Sequence, residues 1–240
     1  MPKERVEHLA EGIVLHLGDC RDVLPSLGRV DAIVTDPPYG IDIVKNGRIG
    51  GTSKDVARWN GQINSEYHGP IIGDDKPIEP SFLLDFKVPS IIWGGNYIAD
   101  KLPPTKGWLI WYKRINNQSN NFADCEIAWS NLNCPARVYQ QLWMGMLRDS
   151  EAQEHYHPTQ KSIGVMEWCI KKLPEECEII LDPFMGSGTT GMACGKLGRK
   201  FIGVELEERY FEIAIRRIEK ALKQPDLFIA TPRPVQHKLL

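Results

Sequence analysis

The chain has 240 residues, 42% hydrophobic and 25% charged, which is enough material for a buried core without disulfide or metal staples. That excludes a disordered tail or a mini-scaffold, and no run approaches the ~18 apolar residues of a membrane span. With 29 basic and 31 acidic side chains the net charge is −2, so any contact with a nucleic acid has to rest on a local patch.

The opening MPKERVEHLAEG has no apolar leader core, and the six cysteines include no C-x-x-C pair. The expected setting is a reducing cytoplasm, with no membrane partner. Short β-branched runs follow one another along the chain, and each ends in small or acidic residues. They are Ile13 to Leu17, Ala32 to Val34, Ser90 to Trp93, Trp108 to Tyr112, Glu126 to Trp129, Ile179 to Leu181 and Phe201 to Val204. Helical spacing appears in Pro80 to Phe86, Val165 to Leu173, Thr190 to Leu197 and Tyr210 to Leu222. Nearly continuous apolar strands alternating with helices predict an α/β fold around a parallel sheet covered on both faces. Two stretches break this rhythm, 41–75 and 131–156. Both read as long excursions from the sheet and as candidate substrate-contacting regions. The proline-rich stretch from Pro225 to Pro234 reads as a tail.

After the strand at Ile179 comes Asp182-Pro183-Phe184-Met185-Gly186-Ser187-Gly188-Thr189-Thr190-Gly191, a strand, a glycine turn and the start of a helix. Gly186, Gly188 and Gly191 fit G-x-G-x-x-G, and Glu205 follows at the end of the next strand. This pattern fits a nucleotide-type cofactor whose ribose hydroxyls bond to the acid, and taken alone it favours NAD. In a dinucleotide-binding fold, however, the fingerprint opens the sheet. Here only one strand and one helix remain after it, an order foreign to dehydrogenases.

Asp36-Pro37-Pro38-Tyr39 follows the strand DAIVT, at the strand end where open α/β sheets place their ligands. The two prolines donate no backbone hydrogen bond and restrict φ, so the segment is a stiff wall offering only acceptors. An Asp side chain, a proline carbonyl and an aromatic ring held together suit a planar exocyclic amine: two acceptors for its N–H groups and a platform for its heterocycle.

With these residues in view, the chain resembles the amino-methyltransferases of DNA, acting on adenine N6 or cytosine N4, in the permuted beta group where DPPY precedes the S-adenosylmethionine loop. The resemblance rests on DPPY at 36–39, His157-Pro158-Thr159-Gln160-Lys161, DPFMGSGTT at 182–190 and FIGVELEERY at 201–210, which occur in the family's order. It implies a Rossmann-like class I methyltransferase sheet, circularly permuted and mostly parallel with one antiparallel strand. A single domain over 1–224 is implied, with target recognition in the 41–75 and 131–156 excursions and a tail at 225–240.

The resemblance also implies roles. Asp182, Phe184, Gly186, Ser187, Gly188 and Thr189 would surround the methionine part of S-adenosylmethionine, Glu205 would take its ribose hydroxyls, and Asp19, beside Cys20, its adenine amine. His157, Thr159 and Gln160 would lie against the methionine carboxylate. Lys161 would add charge there or be a solvated surface lysine. Ser162 stands where the family usually has proline, a departure expected to loosen that turn. Asp36 and the Pro37 carbonyl would take the two N–H groups of the target amine, with Pro38 stiffening the wall and Tyr39 stacking on a base flipped out of the duplex.

The implied partners are double-stranded DNA, a second subunit in a homodimer and a cognate restriction nuclease. Phosphate contacts are expected from Lys45, Arg48, Lys54 and Arg58, and from Lys106, Lys113 and Arg114. Adenine N6 is the expected target. The alternatives are cytosine N4, an RNA or protein-glutamine substrate, and, from another class, a nicotinamide oxidoreductase. Cys134-Pro135 has the order of a Pro-Cys nucleophile reversed and reads as a buried thiol beside a turn. His155, His157 and Cys169 fit no metal spacing, and no metal is expected.

Overall fold

The computed structural model describes residues 5–45, 48–49, 71–114, 123–144, 147–148, 150, 156 and 159–223. His155, His157, Pro158, Lys54, Arg58 and the tail fall outside the described residues, as do the side chains of Lys45 and Arg48.

Thirteen strands are described: β1 (Arg5–Ala10), β2 (Ile13–Leu17), β3 (Ala32–Thr35), β4 (Val44–Lys45), β5 (Arg48–Ile49), β6 (Ser90–Trp93), β7 (Leu109–Tyr112), β8 (Cys125–Ser130), β9 (Arg137–Gln140), β10 (Trp143–Met144), β11 (Leu147–Arg148), β12 (Ile179–Asp182) and β13 (Lys200–Glu205). Nine of them form one sheet in the order β1-β2-β13-β12-β3-β6-β8-β7-β9, while β4-β5 and β10-β11 are two-stranded hairpins. From β2 to β6 the pairs are parallel. Every residue of β3 and β6 is buried, as a strand covered on both faces requires.

The sheet differs from the expected one in two places. A second antiparallel strand, β1, joins β8 in running against the others, and it pairs with β2 at the edge. Its residues alternate half-buried and exposed, so RVEHLA carries no apolar run to announce it. The segment 131–156 is not wholly an excursion, because β9 lies inside it and pairs in parallel with β7.

The helices are α1 (Cys20–Val23), α2 (Ser81–Leu84), α3 (Ile163–Ile170), α4 (Thr189–Lys196) and α5 (Glu208–Lys223). Alternate strand residues feed two cores. Ile91, Trp93 and Phe201 pack with Val165, Ala193, Phe211, Ala214 and Ile218 of α3, α4 and α5. Ile33, Ile92 and Leu181 pack with Val23 and Leu83 of α1 and α2. On α5, Phe211, Ala214, Ile218 and Ala221 recur at three- and four-residue spacing, one stripe of a helix. Each large apolar side chain so buried contributes ~1.5–3 kcal/mol. Among the described residues no helix is long and apolar enough to cross a membrane.

Ser162 does not loosen the start of α3. It is fully buried and caps the helix: its Oγ accepts from the Gly164 N–H at 3.1 Å and donates to Gln141 Oε1 at 2.6 Å. A hydroxyl thus does by hydrogen bonding what a proline does by fixing φ. Ser162→Ala is expected to lower unfolding stability by about 1–2 kcal/mol, through loss of the cap and of the Gln141 bond, as read from urea denaturation. An unchanged midpoint would show that the cap is redundant.

Candidate active site

Because β2, β13, β12 and β3 are parallel, their carboxyl ends open on one side of the sheet, where the chain places Gly18-Asp19, Glu205, Asp182 and Asp36 together. These ends line a cavity of about 670 Å³. Its walls include all four residues of the DPPY segment, Asp19 and Cys20 after β2, Thr159, Gln160 and Lys161 before α3, and Asp182, Phe184, Gly186, Ser187, Thr189 and Glu205.

The glycine loop is shaped by close packing against α5. Gly188 has φ +82°, and a Cβ there would lie 2.9 Å from the Ala214 Cβ, so no other residue fits. Asp182 holds the loop from below. Its Oδ1 accepts from Thr35 Oγ1 at 2.7 Å and the Phe184 N–H at 3.1 Å, and its Oδ2 accepts from Thr190 Oγ1 at 2.6 Å. Burial pushes its carboxyl up to about 6. Arg217 of α5 holds the loop from the side, donating to the Ser187 carbonyl at 2.7 Å and Ser187 Oγ at 2.9 Å, and reaching Thr189 Oγ1 at 3.3 Å. Glu205 accepts from the Gly186 and Glu207 N–H groups at 2.9 and 2.8 Å, and burial pushes its carboxyl up to about 7. Asp19 caps α1 by accepting from the Arg21 N–H at 2.9 Å and pairs with the Arg21 guanidinium.

The DPPY segment is fixed at both ends. Asp74, 4% exposed, accepts from the Gly40 and Ile43 N–H groups, both at 2.8 Å, which sets the turn that leaves Tyr39. The Tyr39 ring stacks on Tyr97 with centroids 5.0 Å apart and planes 22° apart, and its hydroxyl donates to Asp36 Oδ1 at 2.7 Å. Lys161 is neither on the surface nor apart from the DPPY segment. It is 4% exposed, with Nζ 2.5 Å from Asp36 Oδ2, 3.0 Å from the Tyr39 hydroxyl and 2.9 Å from Glu126 Oε2. Glu126 of β8 also pairs with Lys113, the residue after β7, at 2.8 Å.

Burial alone would raise the Glu126 carboxyl, but the Lys161 and Lys113 ammonium groups hold it down at about 2. At Asp36 burial wins over Lys161, and the carboxyl lies above its ordinary value. Burial and the Asp36 charge raise the Tyr39 phenol well above its own, so it stays a donor.

Two expected phosphate contacts are corrected by these pairings. Lys113 is spent on Glu126, and Arg114, 2% exposed, pairs with Asp124 at 2.9 Å; Lys106 is exposed. Cys134 is half-buried rather than buried. Among the described residues no cluster of metal-ligating side chains occurs. Sequence reasoning missed Thr35, Asp74, Tyr97, Lys113 as a site residue, Glu126 and Arg217. Only Arg217 carried a local signal, a charge beside the apolar stripe of α5.

Residues 90–216, more than half of the chain, match the family model for the N6/N4 DNA methylases. The chain belongs to this DNA methylase family. It is 36% identical over 113 residues to the Type II methyltransferase M2.LlaDCHI of Lactococcus lactis subsp. cremoris, covering 47% of this chain and 41% of that protein. With M2.DpnII of Streptococcus pneumoniae the match is similar, so the chain spans about two fifths of the length of these relatives. An alignment of 255 residues at 28% identity with M.ScaI of Streptomyces caespitosus covers 86% of this chain and 81% of that one. The crystal structure of the M1.HpyAVI–SAM complex shares the fold, with a TM-score of 0.50 at 24% identity, over 85% of this chain and 98% of that chain.

Gly94 sits under Tyr39 with φ +70°, and a Cβ there would lie 2.1 Å from the ring. Gly198 has a similar φ, +66°, but open space around it. Both alanine variants carry the backbone strain, of order 1–3 kcal/mol, and only Gly94→Ala adds a clash with Tyr39. Gly94→Ala is therefore expected to lower the thermal midpoint further than Gly198→Ala, and equal shifts would show that the Tyr39 ring moves aside freely.

Proposed function

We propose that the chain transfers a methyl group from S-adenosylmethionine to the exocyclic N6 of an adenine flipped out of double-stranded DNA. The observation that carries this reading is the convergence, in one cavity, of Asp36-Pro37-Pro38-Tyr39 with the glycine loop and Glu205.

The residues present fit the cofactor. Glu205 faces the cavity with acceptor capacity beyond the two backbone N–H groups it already takes, as a pair of ribose hydroxyls requires. Asp19 suits the adenine amine, the loop from Asp182 to Thr189 the methionine part, and Thr159 and Gln160 its carboxylate. When bound, the cofactor supplies an electrophilic methyl group on a sulfonium.

The protein's own task is to prepare the nucleophile. An exocyclic amine has its lone pair drawn into the ring. Asp36 and the Pro37 carbonyl, accepting its two N–H groups, favour tetrahedral nitrogen and aim the lone pair outward. Fixed acceptors of this kind stabilise developing positive charge without rearranging in the transition state. Tyr39 offers a ring face to the base. An acid before Pro-Pro-Tyr supports adenine N6 over cytosine N4, by resemblance to the family's adenine enzymes. One methyltransferase domain over 1–224 fits this reading, with segment 41–75 and the part of 131–156 beyond β9 serving target recognition. The Type II relatives add a cognate restriction nuclease as partner.

The direct test incubates the protein with S-adenosylmethionine and mixed-sequence duplex DNA, then digests the DNA to nucleosides for mass spectrometry. N6-methyldeoxyadenosine is the expected product. N4-methyldeoxycytidine alone would reverse the choice of base, and no methylated nucleoside would overturn the reading. Asp36→Ala is expected to cut turnover by ~10²–10³ while cofactor binding holds.

Glu205 makes cofactor binding depend on pH. Its carboxyl in the fold lies at about 7, above the ordinary carboxylate range, because burial disfavours the charge. Below 7 the protonated acid has lost acceptor capacity, and above 7 the carboxylate accepts from both hydroxyls. Calorimetric affinity for S-adenosylmethionine is therefore expected to tighten from pH 6 to pH 8. Glu205→Gln should bind ~10–100-fold more weakly and lose that dependence. A pH-dependent variant would assign the titration to another group.

A further inference from the structure

Five ionisable side chains from four segments meet at the cavity wall: Asp36 and Tyr39 in the loop after β3, Lys161 before α3, Glu126 on β8 and Lys113 just after β7. Two acids and two ammonium groups, none more than 23% exposed, are not explained by stability alone, because apolar residues of similar volume usually stabilise a fold as well as a buried ion-pair network. The arrangement has a direction. Lys113 holds Glu126, Glu126 holds Lys161, and Lys161 rests on Asp36 Oδ2.

Asp36 keeps room for a substrate within this network. A carboxylate offers about four acceptor positions. The Tyr39 hydroxyl takes one on Oδ1 and Lys161 one on Oδ2, so each oxygen can accept once more. The network therefore does not compete with an amine. Its effect is on the state of the carboxyl. Asp182 of β12 also bears on this site, as a like charge that Asp36 helps to raise. Cys169 of α3 faces Lys161 as a neutral thiol, pushed well above its ordinary value by burial, and Tyr97 backs the Tyr39 ring. Of all these neighbours, Lys161 is the one cation in contact with Asp36 among the described residues, and nothing else facing Asp36 opposes its burial as strongly.

We propose that Glu126 is a positioning residue which, anchored by Lys113, clamps the Lys161 ammonium against Asp36 so that Asp36 meets the target amine as an ionised acceptor. A protonated Asp36 would present an O–H where an N–H has to be accepted. The clamp rests on the reading of Asp36 as the amine acceptor. It adds a reason why Lys161 is buried and why β8 delivers an acid to the cavity wall.

The experiment uses the full chain with aspartate carboxyl carbons labelled with carbon-13, the Asp36 signal being assigned by its disappearance in Asp36→Asn. The titration of Asp36 and the pH profile of kcat on duplex DNA are measured for wild type, Lys161→Met, Lys161→Arg and the isosteric Glu126→Gln. Lys161→Met is expected to move the Asp36 titration to higher pH. Its kcat should fall by ~10-fold or more at pH values below the shifted titration, with the loss relieved as pH rises, since an opposite charge in contact lowers a carboxyl by ~1–3 pH units. Glu126→Gln should move both in the same direction by less, with KM for DNA and cofactor affinity held, and Lys161→Arg should restore most of the activity. Should Lys161→Met fail to fold, Glu126→Gln carries the same test. An Asp36 titration and a pH profile that stay put in Glu126→Gln while only the unfolding midpoint falls would overturn the proposal and leave a structural ion pair. Full activity in Asp36→Ala alongside a shifted titration would instead overturn the acceptor reading and keep the electrostatic coupling.

Discussion

A buried carboxylate, Asp182, joins the two parts of this site. It sits at the end of β12, the strand that feeds the glycine loop, and accepts from Thr35, the last residue of β3 and the one before Asp36. Its other oxygen accepts from Thr190 in the first turn of α4. Adjacent parallel strands keep their ends about 5 Å apart whatever their side chains are, but they do not fix how the loops leave. Asp182 does, because its three bonds tie the start of the DPPY wall, the glycine turn and the helix behind it into one unit. Losing any of these donors would leave a buried charge short of a partner, which is costlier than never having built the bond. The spacing between the two halves of the cavity follows from this one residue.

The same logic of satisfaction explains how so polar a cavity exists inside an α/β core. Gly40 and Ile43 give their N–H groups to Asp74, Gly186 and Glu207 give theirs to Glu205, and the Ser187 carbonyl takes the Arg217 guanidinium. Backbone groups freed by tight loops are met by side chains from other elements, so the loops are stiff without being regular. Polar groups paired in this way rigidify a wall, and a rigid wall can hold acceptors in place before the substrate arrives.

The parts legible in the sequence were those with local grammar. The seven apolar runs became strands, and DPPY and the glycine loop fell at strand ends, because a parallel strand buried on both faces has to be apolar along its length. The edge strands β1 and β9 were not legible, since an edge strand alternates or is exposed and its pairing is decided by a neighbour. The charge network was less legible still. Lys161, Glu126 and Lys113 each look like ordinary surface charges in sequence, and Lys161 meets Asp36 across 125 positions. What joins them is topology. The antiparallel strand β8 inserts between β6 and β7 and so brings an acid from late in the sheet to the back of Tyr39.

Tyr39 shows why the aromatic of this segment is a tyrosine and not a phenylalanine. One face of its ring is taken by Tyr97, and the ring lies so close to Gly94 that a Cβ there would come 2.1 Å from it. Its hydroxyl is bonded to Asp36, which ties the plane of the ring to the position of the acceptor three residues earlier. A phenylalanine would keep the stack and lose that tie. Besides the stack on Tyr97, the ring has the Lys161 ammonium 5.3 Å from its centroid, so ring, phenol and carboxyl share one charged neighbour. Ring and carboxyl thus act as one rigid piece, and the ammonium of Lys161, touching both, ties that piece to Glu126 of β8.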